Sequence, residues 1–583
     1  MKRASMTKFY TTGGFLLSLT LAAPLTYGQE RCESLLVAEA AKVPVLNSSL
    51  LTNLIKKEIQ EQLLQFAAAI LKVDPATVMG SKKLSPLDVR DLGETGTVPQ
   101  ERAILSALAN LSNTGQLRPG IAQILKDLEA LPQIGGKPNP LKLLPVAKKE
   151  YVLEAAASNI EGVLALRGLT TASVKVKYLE WPELSQKMSE RLDQAPQGME
   201  HLLHFAKSRF FSNSSARILI DGPESFALRD RLMSEARKSI DVLTWAVYSD
   251  KTGFEAADLL IKKHQEGLKV RVVVDGQVAR GTGYSQAVQK MEQAGVEVIR
   301  WTSATHPFQG QHRKMILIDG EHLIAGGLNS GDVYSHKNPD PAVARWRDTD
   351  VYVQGEAVSE GLRLFANLWN EQVASKKLTY SKMVVPKTLP RNQGSSAEAV
   401  ALLNHDPSQG PAGSTIMMTL LKGLREAKES VDIENAYVVL FPALKKEIQG
   451  AIARGVKVRV LTNSDKSVDE PIVSVPILRS AHELSQAGAE VFLKKGATLH
   501  SKLAIIDKEY TLVMSYNLHP RSERVEGEMA VLVKGRAFAE SAERAVLADL
   551  QPDKATRIQR PEDIQLPSSP QVVPVLRVFF DML

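Results

Sequence analysis

Two stretches of the chain carry a histidine followed two residues later by a lysine, and both continue with similar residue types at identical intervals. The first stretch contains His312, Lys314, Asp319, Gly326-Gly327 and Asn329. The second stretch contains His500, Lys502, Asp507, Met514-Ser515 and Asn517. A duplication that keeps every interval indicates two copies of one unit, each of which supplies one imidazole.

Two imidazoles are well suited to attack on a phosphodiester. One ring can act as the nucleophile at phosphorus while the other protonates the leaving oxygen. The lysine beside each ring can neutralise the non-bridging oxygens, and Asn329 and Asn517 can donate hydrogen bonds to the same oxygens. Gly326-Gly327 leaves room for a close approach of the backbone. The motifs therefore predict a phosphodiester-cleaving or phosphoryl-transferring enzyme.

Histidines near acidic residues can also bind metal ions. In each pair the second residue is a lysine, which cannot bind a metal at neutral pH and repels a cation. We therefore expect no metal and no other cofactor. A second alternative is that each pair only decorates the surface of a strand, but two copies with identical spacing argue against it. Asp348 and Glu528 stand in matching places before predicted strands, and each could orient the imidazole nearby.

The motifs lie where short apolar strands alternate with helices. The first copy is predicted to contain strands at 239–247, 270–275 and 296–301, with helices at 253–266 and 284–294. The second copy repeats this order, with strands at 430–439, 456–461 and 490–493, and helices at 442–454 and 480–487. Each His-Lys pair starts a further apolar strand, so both side chains leave the same face of a sheet. This alternation indicates an α/β architecture in both copies.

A chain of 583 residues is expected to form several domains. The sequence divides into a signal peptide, a mainly helical N-terminal region, two α/β domains and a proline-rich tail, at residues 1–28, 29–210, 211–380, 397–550 and 551–583. Within the helical region, residues 51–70 place apolar side chains on one face of a helix. Such a face packs against a protein core or lies on a membrane.

The first 28 residues have the layout of a secretory signal peptide. Lys2, Arg3 and Lys8 precede an apolar run at 13–23, and small or polar residues follow. An uncleaved membrane anchor is the alternative, although the run is shorter than the roughly 20 residues that span a bilayer. We therefore expect an exported protein, which is periplasmic, peripheral to a membrane or secreted.

The overall charge does not single out a nucleic-acid-binding protein. The formal net charge is +7, from 72 basic and 65 acidic residues, and aromatic residues make up only 5% of the chain. Nucleases usually combine a basic stripe with stacking aromatic side chains. We expect no nucleic acid as partner, and an exported, metal-independent nuclease is the alternative function. The sequence predicts no protein partner.

The complete pattern resembles the duplicated HKD signature of the phospholipase D superfamily. It reads His-x-Lys, four residues, Asp, six residues, and then Gly-Gly or Gly-Ser, any residue and Asn. Residues 326–334, 346–349 and 517–522, together with Glu528, are similar to those of bacterial cardiolipin synthases. The resemblance covers residues 215 to 548.

This resemblance implies a fold, a mechanism and a set of roles. It implies two α/β/α domains related by a pseudo-two-fold axis, with both motifs in one active site. It also implies a covalent phosphohistidine that passes a phosphatidyl group from a phospholipid at a membrane surface to water or to another alcohol. His312 would be the nucleophile and His500 the acid, or the reverse. The phosphate would be held by Lys314, Lys502, Asn329 and Asn517. Asp348 and Glu528 would orient the histidines. Asp319 and Asp507, which are counted with the catalytic set, would be structural or supporting.

The second copy departs from the family pattern at two positions. Met514 replaces the first glycine of the pair, and His519 replaces the aspartate usual after Asn-Leu. We expect a narrowed pocket or an altered acceptor, and an inactive second half is the alternative. A hydrolase, a transferase and a noncatalytic binding protein remain open at this point.

Overall fold

The computed structural model describes residues 181–280, 283–303, 309–385, 398–469 and 473–564, together with short pieces between residues 109 and 138. One compact unit comprises Ser185–Ala304 and Gln309–Leu566. A second unit comprises Met1–Leu184, Thr305–Phe308 and Pro567–Leu583. In the second unit the structure describes an antiparallel pair of two-residue strands, Gln133–Ile134 and Lys137–Pro138. The predicted signal peptide, the amphipathic stretch at 51–70 and the end of the tail lie outside the described residues.

The first sheet of the larger unit has seven strands. They are β1 (Ser214–Ile220), β2 (Ser239–Thr244), β3 (Lys269–Asp275), β4 (Glu297–Trp301), β6 (Met315–Ile318), β7 (His322–Gly326) and β8 (Thr349–Gly355). Their order across the sheet is β1-β8-β7-β6-β2-β3-β4. The strands β2, β3 and β4 are parallel, and the others pair in antiparallel fashion. The short strand β5 (Gly310–Gln311) lies outside this sheet.

The second sheet repeats this arrangement with one additional edge strand. Its strands are β9 (Ala399–His405), β10 (Ser430–Asn435), β11 (Lys457–Asn463), β12 (Glu490–Lys494), β13 (Lys502–Ile506), β14 (Tyr510–Met514), β15 (Glu526–Lys534) and β16 (Ala555–Arg557). Their order is β9-β15-β14-β13-β10-β11-β12-β16. The first seven positions match the first sheet strand for strand. The predicted α/β architecture with two repeated domains is therefore confirmed.

Helices connect and cover the strands. The first half contains α1 (Trp181–Asp193), α2 (Asp221–Glu235), α3 (Lys251–Gln265), α4 (Ser285–Gln293), α5 (Asp332–Ser335) and α6 (Val358–Ser375). The second half contains α7 (Thr415–Glu426), α8 (Pro442–Ala453), α9 (Ser474–Gln486), α10 (Pro520–Arg524) and α11 (Arg536–Asp549). The last part of the predicted helical N-terminal region contains helix α1, which ends at Asp193, before Pro196 and Gly198. In the described residues between α1 and β1, only a short 3-10 turn, Met199–His201, follows it.

Two apolar cores hold the first sheet in place. On one face, β2 and β3 pack against α2, α3 and α4 through residues such as Val242, Val272 and Leu260. On the other face, side chains of both sheets join one core together with α6 and α11. Leu317 and Val351 belong to this core from the first sheet, and Leu503 and Val531 belong to it from the second. The two domains therefore share a buried interior.

Candidate active site

The strand that leads to His312 pairs with the opposite domain. In β5, Gly310 and Gln311 align in parallel with Glu526 and Gly527 at the start of β15. The backbone N–H of His312 then donates to the carbonyl of Gly527 at 2.9 Å. This pairing brings Nδ1 of His312 to 2.9 and 3.0 Å from the two carboxylate oxygens of Glu528.

His500 is positioned in the corresponding way by the first domain. Leu499 forms a parallel bridge with Arg347, and the N–H of His500 donates to the carbonyl of Arg347 at 2.7 Å. Nδ1 of His500 lies 2.6 Å from Asp348. Each predicted acid thus contacts an imidazole, but the imidazole belongs to the other half of the chain. The sequence predicted that each acid could orient the imidazole nearby. The structure adds that this imidazole comes from the other copy, because a parallel contact between the domains brings each histidine across.

The two lysines are buried beside the histidines. Lys314 and Lys502 are each at most 2% exposed, and the ammonium group of each donates to the carbonyl of the histidine two residues before it. Burial lowers the pKa of Lys314 to about 7 and that of Lys502 to about 8. Lys314, Lys502 and His500 all act electrostatically on His312, so the two motifs form one site.

Burial also changes the proton affinity of the histidine–acid pairs. It lowers the pKa of His312 and of His500 well below the usual value, and the neighbouring lysines lower both further. Burial raises the pKa of Asp348 to about 6, against the opposing charge of Lys502, and it also raises the pKa of Glu528. Burial therefore favours neutral imidazoles, each with Nδ1 directed at a carboxyl group and Nε2 left for chemistry.

Glu528 and the two asparagines have further polar partners. Glu528 accepts hydrogen bonds from the hydroxyl groups of Ser515 and Ser522. The side-chain amide of Asn329 donates to the hydroxyl of Tyr334 at 2.9 Å. Asn517 is 3% exposed, and in the described part of the chain its side-chain oxygen has no hydrogen-bond partner. Both asparagines lie directly after the strands that follow the His-Lys pairs, as the motif predicts.

Aromatic rings surround both histidines. The ring of Trp346 stacks on His500 with centroids 5.5 Å apart, and Tyr334 meets the same ring edge-on at 5.2 Å. Trp245 meets His312 edge-on at 5.9 Å. No role at the site was predicted from the sequence for Ser515, Ser522 or these three aromatic residues. Ser515 and Ser522 lie inside the motifs, and this position in the sequence is the signal that could have identified them.

Asp319 and Asp507 do not reach the histidines, which corrects their inclusion in the catalytic set. Asp319 lies after β6, at the opposite end of that strand from His312. Its carboxylate accepts backbone N–H groups from Arg237, Lys238 and Ser239 at 2.7 to 3.1 Å. Asp507 makes the same contacts with the three residues at 428–430. We therefore assign both aspartates a structural role at the start of β2 and β10.

The two departures in the second copy have local explanations. Met514 ends β14, where it is buried and pairs with Ala530. His519 is the N-cap of α10 and accepts the N–H of Ser522 at 3.2 Å, and its ring stacks on Tyr437. The histidine, lysine, asparagine and acid of the second half all occupy the site, so the geometry gives no sign of an inactive half.

Comparisons with known proteins agree with this geometry. The family model described as "Cardiolipin synthase, PLD-like domain" matches residues 230–369 and 420–549. Cardiolipin synthase A of Pseudomonas entomophila is 28% identical over 66% of this chain and 78% of its own length. That of Pseudomonas syringae is 27% identical over 70% of this chain and 84% of its own length. The crystal structure of phosphatidylserine synthase from Haemophilus influenzae shares the fold, with a TM-score of 0.50 and 14% identity over 68% of this chain and 97% of that protein.

Two repeated α/β domains that each give a His-Lys pair to one buried site define an enzyme of the phospholipase D superfamily. The chain belongs to this superfamily. Within it, the chain resembles the cardiolipin synthases, whose sequences it matches across both repeats.

Proposed function

We propose that this enzyme transfers a phosphatidyl group from a phospholipid to an alcohol through a covalent phosphohistidine. The observation that carries the proposal is the pair of crossed contacts, His312 with Glu528 and His500 with Asp348. They present two oriented imidazoles and two lysines to one phosphate. The resemblance to cardiolipin synthases supports a phospholipid as the substrate.

The first step forms a bond between Nε2 of one histidine and phosphorus and breaks the bond from phosphorus to the headgroup oxygen. The second histidine gives its Nε2 proton to that oxygen as it leaves. In the second step an acceptor alcohol gives its proton back to the second histidine and attacks phosphorus, and the P–N bond breaks. The carboxylates hold Nδ1–H of each ring and stabilise the positive charge that develops there.

Burial favours neutral imidazoles. The histidine that acts as the acid therefore has to gain its proton when the substrate binds. A bound phosphodiester carries a negative charge, which raises the pKa of a nearby imidazole. Substrate binding therefore helps to charge the histidine that acts as acid. His312 and His500 are equivalent in this respect, and either one fits the nucleophilic role.

Burial of the reacting groups favours an alcohol over water as the acceptor. His312 is 7% exposed and His500 is 6% exposed, and aromatic rings cover both. A site that excludes bulk water limits hydrolysis of a reactive intermediate. We therefore place transfer, with a cardiolipin-type product, ahead of hydrolysis to phosphatidic acid.

The proposed place of action is outside the cytoplasmic membrane, at a membrane surface, and it rests on the signal-like sequence at residues 1–28. Among the described residues, no helix combines the length and apolar character needed to cross a membrane. N-terminal sequencing of the protein recovered from cell fractions tests this proposal. Cleavage near Gly28 supports export, and an intact N-terminus in the cytoplasm contradicts it.

Product analysis tests the function directly. The purified protein is incubated with vesicles of phosphatidylglycerol and phosphatidylethanolamine in EDTA, beside the variants His312→Ala and His500→Ala. Cardiolipin indicates a transferase and phosphatidic acid a hydrolase, provided that both variants are inactive. Untouched lipid together with cleavage of plasmid DNA under the same conditions replaces the lipid proposal with the nuclease alternative.

A further inference from the structure

A buried cluster of ionic side chains lies behind Asp348, and its acidic members come from outside both His-Lys motifs. Arg347 donates through Nε to Asp549 at 2.5 Å, and its Nη2 lies 3.3 Å from Glu434. Its Nη1 donates to the carbonyl of Asp348 at 2.5 Å and to the hydroxyl of Thr349 at 2.7 Å. Glu434 is fully buried, and Arg347 and Asp549 are nearly so.

The cluster is continuous with the His500 half of the site. The carbonyl of Arg347 accepts the N–H groups of both His500 and Ser501, at 2.7 and 3.1 Å. The hydroxyl groups of Thr349 and Ser501 share a hydrogen bond of 2.8 Å. The guanidinium therefore fixes a backbone segment that contacts His500 directly. This segment also carries Asp348, the acid that is hydrogen-bonded to the ring of His500.

The other half-site has no such cluster at the equivalent positions. Glu434 pairs with Leu503, three residues after His500, and Leu243 pairs with Met315, three residues after His312. Leu243 is thus the counterpart of Glu434, and it is fully buried in the shared core.

The remaining two members of the cluster also have uncharged counterparts. Gly527 stands directly before Glu528, so it is the counterpart of Arg347, which stands directly before Asp348. Trp369 follows Asp348 at the same interval as Asp549 follows Glu528, so Trp369 is the counterpart of Asp549. Trp369 is fully buried. The space beside Gly527 is filled from the other strand by Arg313, whose Nη1 lies 2.1 Å from where a Cβ on that glycine would stand.

Stability alone does not account for this difference. Removing charges from water opposes folding, and well-packed apolar side chains often replace a buried ion cluster with equal or greater stability. The same fold already places apolar side chains, Leu243 and Trp369, at the positions equivalent to the two buried acids. Since charged side chains occupy these three positions at the His500 half-site only, we infer a local task for them, and their contacts reach Asp348 and His500.

We propose that Arg347, Glu434 and Asp549 are positioning residues of the His500 half-site, which align Asp348 with the imidazole during phosphodiester cleavage. The inference rests on the proposed function only in taking His500 and Asp348 as a reacting pair. It does not depend on which alcohol or lipid the enzyme uses.

The test removes these three charges together, in the variant Arg347→Met, Glu434→Leu, Asp549→Leu, so that none of the three is left buried without its partner. Asp221, which lies 3.5 Å from Nη1 of Arg347, is 31% exposed and stays in contact with solvent. Activity is measured on phosphatidylglycerol vesicles and on bis(p-nitrophenyl) phosphate, beside a melting curve. We expect a melting temperature close to that of the wild type, kcat lower by about 100-fold and KM changed less than about threefold, as for a misplaced catalytic group. A crystal structure of the variant is expected to show Nδ1 of His500 beyond hydrogen-bond distance of Asp348.

Two further variants complete the test. Leu243→Met makes a volume-conserving change at the apolar counterpart of Glu434, and it is expected to leave kcat unchanged. Arg347→Lys keeps the charge but loses the forked contacts, so kcat is expected to fall by about tenfold with the fold intact. If the triple variant does not fold, the kcat of Arg347→Lys tests the positioning role by itself.

Wild-type kcat in Arg347→Lys, or in a folded triple variant with an unchanged His500–Asp348 contact, overturns the proposal. If the wild type cleaves only the aryl phosphodiester, the proposed lipid function fails. The same comparison of kcat on that substrate still supports or overturns the positioning role.

Discussion

At the scale of single residues, the site depends on carboxylates that belong to the opposite half of the chain. Asp348 lies 2.6 Å from Nδ1 of His500 and orients the ring so that Nε2 can serve as nucleophile or as acid. Replacing Asp348 with Asn keeps the size but lets the amide donate, which favours the wrong tautomer of the imidazole. We expect kcat to fall by about 10³-fold or more with the melting temperature nearly unchanged. Kinetics on vesicles check this, with Asp340→Asn in an exposed turn as the control. Near-normal kcat in Asp348→Asn contradicts the orienting role.

The pKa values of the buried groups predict a narrow pH optimum. The carboxylate of Asp348 is lost as the pH falls through about 6, and the ammonium of Lys314 is lost as the pH rises through about 7. Since both charges serve the reaction, kcat/KM is expected to peak between these values and to fall on either side.

The variant Lys314→Arg separates the two lysines in this pH profile. Arginine stays charged, so the alkaline limb should move to the pKa of Lys502, at about 8. The measurement is kcat/KM from pH 5 to 9 for both proteins. An alkaline limb that does not move would show that Lys314 is not the group that titrates.

Residue types and spacing were enough to predict the histidines, lysines and asparagines of the site, because the duplicated motif lists them directly. They were not enough to predict which acid meets which histidine. That pairing depends on the contacts of β5 with β15 and of Leu499 with Arg347, which join residues far apart in the chain. The partners of Asp319 could not be predicted for the same reason, since they are backbone N–H groups about 80 residues earlier.

At the scale of strands and helices, the residue directly after β7 and the residue directly after β14 each determine the position of the neighbouring acid. A Cβ added to Gly327 would lie 2.1 Å from Oδ1 of Asp348. Ser515, the equivalent residue, already carries a side chain, and its hydroxyl donates to Glu528. Gly327→Ala is therefore expected to displace Asp348 and to lower kcat by about 100-fold.

The variant Ser515→Ala is the matched control for that change. It removes one hydrogen bond to Glu528 and adds no atom, so we expect less than about a tenfold loss of kcat. Both variants are assayed side by side with melting curves. Equal activities of Gly327→Ala and the wild type would contradict the steric argument.

Most strands and helices could be predicted because their periodicity is strong. The alternation of apolar runs and helices located β2, β3, β10 and β11 to within a few residues. The predicted strands at 239–247 and 430–439 were too long, since β2 ends at Thr244 and β10 ends at Asn435. Beyond these ends, Trp245 contacts His312 and Tyr437 stacks on His519, whereas Val247 packs into an apolar core. Helix α9 begins at Ser474, earlier than predicted, because Pro476 is tolerated in the first turn of a helix.

At the scale of the whole molecule, the larger unit is held together by the shared core as well as by the crossed site. Phe365 on α6 is fully buried in a cluster that also contains Val513 and Val531 of the second sheet. The variant Phe365→Ala leaves a cavity there and is expected to lower the free energy of unfolding by about 3 to 5 kcal/mol. Because both sheets line this core, faster hydrogen exchange is expected in β13 and β14 as well as in β7 and β8. Exchange mass spectrometry, with the exposed Arg363→Ala as the control, measures this directly. Faster exchange confined to the first sheet would mean that the halves unfold independently, and that the crossed histidine–acid contacts alone join them.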